Sequence, residues 1–384
     1  MIYFDNAATT SQKPEKVYQT VNQVLRNKSG NPSRGSHQVA LDASRVIFKA
    51  RKKVADFFNL QDSSQLAFTK NATEASNLIF KGLLAAGDHV IISSLEHNAI
   101  ARPLYRLEKQ GTIELTVIDS EKGVEQFLAD IKNAITSETK LVAVTHASNV
   151  TGNILPIAEV GELLEDEEAA LLVDAAQTAG VIPIDVQQLK VDFLVFTGHK
   201  ALFGPQGVGG FYFNEDFDLT PLLEGGTGGS SKEKLNPNVN PDQYESGTLN
   251  TAGIAGVGAG IDFIEETSLT QITAHENKLQ ECLLQGLKEI PEVEVLTSKI
   301  SQDRVGVISF RVQEIDAVTV GQLLDSEYQI AVRTGMHCAP LAHQSIGSYE
   351  TGTVRVSFSY FNTRTEVQEF LTALQEIINF KLDK

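Results

Sequence analysis

The chain has 384 residues, 42% of them hydrophobic and 21% charged, and a formal net charge of -17. This length suits two domains, and the excess of acid argues against nucleic acid or anionic membrane partners, which are gripped through Lys and Arg. A small molecule or a protein is the expected partner. The first residues, MIYFDNAATT, contain no basic stretch leading into an apolar one, and no apolar run approaches the ~20 residues of a membrane span, so a cytoplasmic location is expected. The two cysteines, Cys282 and Cys338, lack metal-ligand spacing, which excludes a disulfide framework and a four-cysteine zinc site.

In chain order, FTKNATEASNLIFKGLL at 68–84 reads as a strand, a turn and an amphipathic helix beginning near Thr73. The free amides and hydroxyl at such a start suit an anion, although an ordinary cap by Thr73 gives the same pattern. The runs HVIIS (89–93), IELTVI (113–118), KLVAVTH (140–146), AALLVDA (169–175) and VDFLVF (191–196) are apolar on both faces, and crossover-length segments separate them. Buried parallel strands of an α/β sheet are expected. GPQGVGGFYF, from Gly204, leads from glycines into a strand, the wrong order for a dinucleotide-binding turn. Gly256, Gly258 and Gly260 fit a closely packed helix instead. Residues 224–248, rich in Gly, Ser, Asn and Pro, read as a long exposed loop. A C-terminal α+β region follows, with strands near VEVLT, RVGVISFRV and TVRVSFSYF and a closing helix from Thr365. The expected division is an N-terminal segment 1–15 packing with the small domain, a large domain 16–250, and a small domain 251–384 that carries Cys338.

His97, Asn149, Asp174 and Lys200 each stand just past the end of an expected buried strand. Ligands of open α/β sheets bind beyond the carboxyl ends of strands, so these four converge on one crevice. An aspartate and a lysine ending successive strands match pyridoxal phosphate chemistry, which needs an amine for the carbonyl and a carboxylate for the ring nitrogen. Taken singly, Asp174 reads equally as a helix cap and Lys200 as a surface lysine; the pair, with Thr197 and His199 beside it, favours the cofactor. Cys338, in AVRTGMHCAPLAH, follows a strand-like stretch, with Arg333 and His337 placed to favour a thiolate. Cys282 falls on the apolar side of a helix, where packing explains it. His337, Cys338 and His343 lack the fourth partner of a zinc site, and no metal is expected.

The motifs YFDNAATT, NPSRGSH, NATEASN, SLEHNAI, SNVTGNILPI, VDAAQ, TGHK, YESGTLNTAG, RTGMHCAP and VRVSFSYFNT resemble, in order and over nearly the whole length, the Suf-type cysteine desulfurases and selenocysteine lyases. These belong to the class V aminotransferases of fold-type I. The resemblance implies a large domain with a mostly parallel seven-stranded sheet, a smaller α+β domain, and pyridoxal 5'-phosphate as cofactor. It implies that Lys200 carries the Schiff base, His97 stacks on the ring, Asp174 pairs with its nitrogen and Gln177 with its hydroxyl. Ala72, Thr73, Thr197 and His199 would hold the phosphate, with Thr248 reaching over from the second subunit of a homodimer. Asn149 and Arg355 would bind the substrate carboxylate, Arg333 and His37 would line the entry, and Cys338 would take sulfur from L-cysteine for an acceptor protein, in the setting of iron–sulfur cluster assembly. Met336 and Asn98 depart from the family pattern, standing where relatives commonly carry a further histidine. The competing enzyme reading is a class V aminotransferase, or a lyase acting on selenocysteine, cysteine sulfinate or another small amino acid, which alanine release from L-cysteine distinguishes. A non-catalytic binding protein that keeps the fold is the third reading, and a visible cofactor band counts against it.

Overall fold

The computed structural model describes residues 1–32, 35–227, 232–301 and 303–382. The first strand is β1 (Ile2–Tyr3). The central sheet is built from β2 (Leu66–Thr69), β3 (Asp88–Ser93), β4 (Ile113–Ile118), β5 (Thr139–Thr145), β6 (Ala170–Asp174), β7 (Phe193–Thr197) and β8 (Gly209–Phe213). It is seven-stranded with the order β2-β8-β7-β6-β5-β3-β4. All but β8 run the same way, since β8 pairs antiparallel with both β7 and β2 while the other pairings are parallel. The mostly parallel sheet expected from the sequence is therefore present.

Alternate residues of the inner strands feed two separate cores. Val142, Val144, Leu171, Val173 and Leu194 face one layer of helices, and Leu141, Ala143, Leu172, Phe193 and Val195 face the other. Helices cover both faces, which is why these strands read as unbroken apolar runs. Each such side chain contributes roughly 1.5–3 kcal/mol by leaving water. IELTVI differs from its expected double burial: it forms the edge strand β4, and Glu114 and Val117 are exposed. Where the chain returns at β8, Gly209 is required by packing, because a Cβ there would sit 2.7 Å from the Asn71 Cα. This glycine lets the turn before the helix Ala72–Leu83 rest against the sheet.

The second unit has β9 (Val293–Leu296), β10 (Val307–Val312), β12 (Arg333–Gly335) and β13 (Thr353–Ser357) in an antiparallel sheet, with the short β11 (Ile330–Ala331) pairing parallel with β1. Its core joins Leu283, Phe310, Val354 and Phe370 to Phe4 of the N-terminal segment. The helix Thr251–Thr267, first element after the expected boundary at residue 250, packs through Ile254, Val257, Ile261 and Ile264 into the core of the large sheet. Its glycines serve that close approach.

On the helix Leu269–Lys288, Glu276 is 4% exposed and has no hydrogen-bond or ion-pair partner among the described residues. Burial pushes its carboxyl up from 4.5 to about 8. The folded state thus keeps a proton that the unfolded chain releases above its lower pKa, so stability falls as pH rises across that window. Glu276→Gln removes the titration with little change of shape. We expect its gain in melting temperature to be larger at pH 8 than at pH 5, by the equivalent of ~1–3 kcal/mol. Melts at the two pH values check this, and an equal gain at both refutes it.

Candidate active site

A pocket of about 180 Å³ opens at the carboxyl ends of the parallel strands, and Ala72, Thr73, His97, Asn149, Asp174, Gln177, Thr197, His199, Lys200, Arg333 and Arg355 all line it. Asp174 is the last residue of β6 and Thr197 the last of β7, the adjacent parallel strand. Lys200 stands on the turn after β7, and His97 on the turn after β3, capping the helix Asn98–Lys109. The expected convergence of strand ends is met for these residues.

Polar atoms left without partners gather here. Thr197 Oγ1, His199 Nδ1, Asn149 Oδ1, His337 Nδ1 and Arg355 Nε are buried and have no hydrogen-bond partner among the described residues, and all belong to residues lining this pocket. Buried polar groups are ordinarily paired, so such a cluster marks a place where a ligand supplies the partners. The helix Ala72–Leu83 starts at the same pocket. It is capped by Asn71, whose Oδ1 accepts from Glu74 N at 2.9 Å, and not by Thr73. Asn71 leaves the amides of Ala72 and Thr73 at the positive end of the helix.

The charges of the site are set by burial. Burial raises the Asp174 carboxyl, while the Ala176 N–H at 2.9 Å and the Lys200 ammonium oppose the rise. Burial likewise pushes the Lys200 amine down to about 8, against the pull of Asp174 and with the repulsion of Arg355 and Arg333. His97 is pushed down to about 3 by burial and then by Lys200, Arg333 and Arg355, so its ring is neutral. Its Nδ1 accepts from Ala99 N at 3.0 Å, which leaves the proton on Nε2. His199 falls to about 4 through burial, Lys200 and Lys13.

Cys338 is exposed and sits beside the pocket. Arg333 Nη2 donates to its Sγ at 3.3 Å. His337 and Cys338 have φ of 47° and 60°, a left-handed backbone that costs non-glycine residues about 1–3 kcal/mol each. The loop is held in that shape by Asn98 N–H on the Cys338 carbonyl at 2.8 Å and by Asn149 Nδ2 on the His337 carbonyl at 2.7 Å. His337, expected to supply positive charge to the sulfur, is instead buried and held well below its usual pKa, with Nε2 2.6 Å from Thr353 Oγ1. The positive charge at the sulfur comes from Arg333. Arg355, 1% exposed, gives Nη2 to Asp5 at 2.6 Å and Nη1 to the Asn149 carbonyl at 3.0 Å. Its fork is thus partly engaged, and Nε is buried with no partner among the described residues.

Two expected residues lie elsewhere in this chain. His37 is exposed and caps the helix Gln38–Phe57, its Nδ1 3.3 Å from Ala40 N. Thr248 lines a separate pocket with Lys70, Glu74 and Asn250. Sequence reasoning missed Asp5 as the partner of Arg355, Ala7, whose carbonyl takes Gln177 Nε2 at 3.2 Å, and Glu96. Glu96 Oε1 ties Ser93 Oγ at 2.6 Å to Thr145 N at 2.7 Å, across the ends of β3 and β5. Asp5 and Glu96 were within quoted motifs, YFDNAATT and SLEHNAI, yet nothing local revealed their partners.

The aminotransferase class-V family model matches residues 2–370. A probable cysteine desulfurase of Methanothermobacter thermautotrophicus is 35% identical over 384 residues, covering 98% of this chain and 94% of that one. A cysteine desulfurase of Escherichia coli is 35% identical over 388 residues, with 98% and 93% covered. The apo structure of a cysteine desulfurase from Thermococcus onnurineus NA1 has a TM-score of 0.90 at 35% identity, over 98% of this chain and 94% of that chain. The cysteine desulfurase CsdA of Escherichia coli, as the S-sulfonic acid, has a TM-score of 0.86 at 28% identity, over 98% and 94%. These neighbours bear out the fold-type-I architecture expected from the motifs. With a family match over nearly its whole length and a strand-end lysine and aspartate at one pocket, the chain belongs to the aminotransferase class-V family.

Proposed function

We propose that this protein is a pyridoxal-phosphate-dependent cysteine desulfurase that moves sulfur from L-cysteine to Cys338 and releases L-alanine. The observation that carries the reading is an exposed Cys338, gripped by Arg333, at the mouth of a pocket that holds Lys200, Asp174 and His97. Relatives named cysteine desulfurase over the full length support it.

The residues fit the cofactor. Unbonded Thr197 Oγ1 and His199 Nδ1 and the free amides of Ala72 and Thr73 form an anion cradle for its phosphate, and the buried Asp174 carboxylate suits the ring nitrogen. When bound, pyridoxal phosphate supplies a carbonyl for an amine and an electron sink for charge at the substrate α-carbon. Lys200 would hold it covalently, Gln177 would meet the ring hydroxyl, and neutral His97 would cover the ring face and offer its Nε2 proton. Thr248 stands outside the Lys200 pocket of its own chain, as a contribution to the partner of a homodimer requires.

The chain's own groups then divide the work. Arg355, oriented by Asp5 and with Asn149 beside it, receives the substrate carboxylate, and Arg333 and His37 flank the entry. The Lys200 amine takes the α-proton; an amine pushed down to about 8 is partly unprotonated near neutral pH. Cys338 thiolate attacks the substrate sulfur: the new S–S bond forms, the C–S bond breaks with its electron pair left on carbon, and that carbon is reprotonated to alanine. The persulfide on Cys338 is then delivered to an acceptor, and exposure of the loop suits a protein acceptor in the cytoplasm.

Purified protein should absorb in the visible, and Lys200→Ala should lose that band; a band unchanged in the variant would overturn the lysine assignment. Asp174→Asn should lower kcat by ~10²-fold or more while the cofactor stays bound through its phosphate. Cys338→Ala should abolish alanine release from L-cysteine and the added sulfur seen by mass spectrometry, yet still show the spectral change of substrate binding. Cys282→Ala, on a helix packed against the small core, is the control. Wild-type alanine release by Cys338→Ala would favour the aminotransferase or lyase reading.

A further inference from the structure

The carbonyl oxygen of His199, in the peptide that joins it to Lys200, collects donors from one distant stretch of chain. Thr10 N, Thr10 Oγ1 and Thr9 Oγ1 each lie 3.1 Å from it, and Lys13 Nζ lies 2.9 Å away. Thr10 Oγ1 also reaches the Lys200 carbonyl at 3.0 Å, and Lys13 Nζ closes on Thr10 Oγ1. The rest of the turn holds itself: Gly204 N bonds Gly198 O at 2.8 Å and Phe203 N bonds Lys200 O at 2.9 Å. The His199–Lys200 peptide is gripped from outside.

Lys13 is an unusual donor for this place. It is half-buried, its partners are neutral oxygens, and no carboxylate pairs with it among the described residues. Burial alone pushes its amine down to about 8. A cation without a counter-charge is expensive to bury, and in exchange it makes a bond to the carbonyl about twice as strong as a neutral donor makes. Lys13 does not line the pocket that Lys200 enters, and it reaches the backbone carbonyl before Lys200 instead.

We propose that Lys13 is a positioning residue for Lys200: its ammonium, with Thr10, fixes the His199–Lys200 peptide and sets the direction in which the Lys200 amine enters the pocket. The proposal rests on Lys200 being the lysine that holds the cofactor and moves the proton. A lysine with a long flexible side chain must serve both tasks from one anchor, and a displacement of about 1 Å at such a group costs as much as 10²-fold in rate.

The test compares holoenzymes of wild type, Lys13→Met and Lys13→Arg by amide hydrogen exchange and by steady-state kinetics with L-cysteine. In Lys13→Met, exchange over residues 198–204 should accelerate by ~10-fold while β6 is unchanged, and kcat should fall by ~10–100-fold with KM within about twofold. Lys13→Arg, which keeps a charged donor, should restore most of both. Thr10→Val, which removes the hydroxyl shared by the two carbonyls, provides the same readouts should Lys13→Met not fold. Unchanged exchange over 198–204 with kcat within twofold of wild type overturns the proposal, as does acceleration spread equally over β6. If wild-type protein releases no alanine from L-cysteine, the desulfurase reading falls, and the exchange comparison still decides the role of Lys13.

Discussion

The direction of the parallel strands is the constraint on which the site depends. Because β3, β5, β6 and β7 run the same way, their polar terminators emerge on one edge of the sheet. Register then fixes their spacing: Asp174 pairs opposite Val195, two residues before the end of β7, so the turn that carries Lys200 begins beside the carboxylate. The antiparallel β8 returns the chain without adding a group to that edge, and Gly209 leaves room for the Asn71 turn, which brings the helix start to the same opening.

Burial and charge work together at that edge. Lys200, Arg333 and Arg355 gather around one pocket, with Asp174 and Asp5 as the nearby carboxylates, and the histidines His97, His199 and His337 are kept neutral. A pocket with this excess of cationic groups suits an anionic ligand. It also gives each ring a defined hydrogen-bond role: an imidazole that carries no charge presents a donor and an acceptor in fixed places. The unpartnered polar atoms along the wall are consistent with that preparation, since their bonds are withheld from the protein itself.

The N-terminal segment links these parts. Its Asp5 orients Arg355, its Ala7 carbonyl holds Gln177, and its Thr10 and Lys13 hold the peptide before Lys200. Phe4 anchors the same segment in the core of the small unit. One short stretch of chain therefore connects the small unit to Arg355 and to the turn that carries Lys200, which couples the placement of one to the other.

What the sequence determined by itself was local in origin. Buried strands reveal themselves as apolar runs, and the polar residue that ends each run is adjacent to it, so His97, Asn149, Asp174 and Lys200 could be placed at one sheet edge without coordinates. The order of glycine and strand at 204–213 likewise settled how that segment is used. Tertiary structure alone decided the pairings between distant segments: Asp5 with Arg355 lies 350 positions apart, and Lys13 with His199 lies 186 apart. It also decided the neutrality of His337, whose place beside Cys338 in the chain suggested charge, but whose ring turns inward to Thr353. The helix Thr251–Thr267 belongs with the large core for the same reason: its apolar residues were visible, but the surface they bury against was not. Periodicity tells which residues leave water, and only the packing of remote segments tells what they meet when they do.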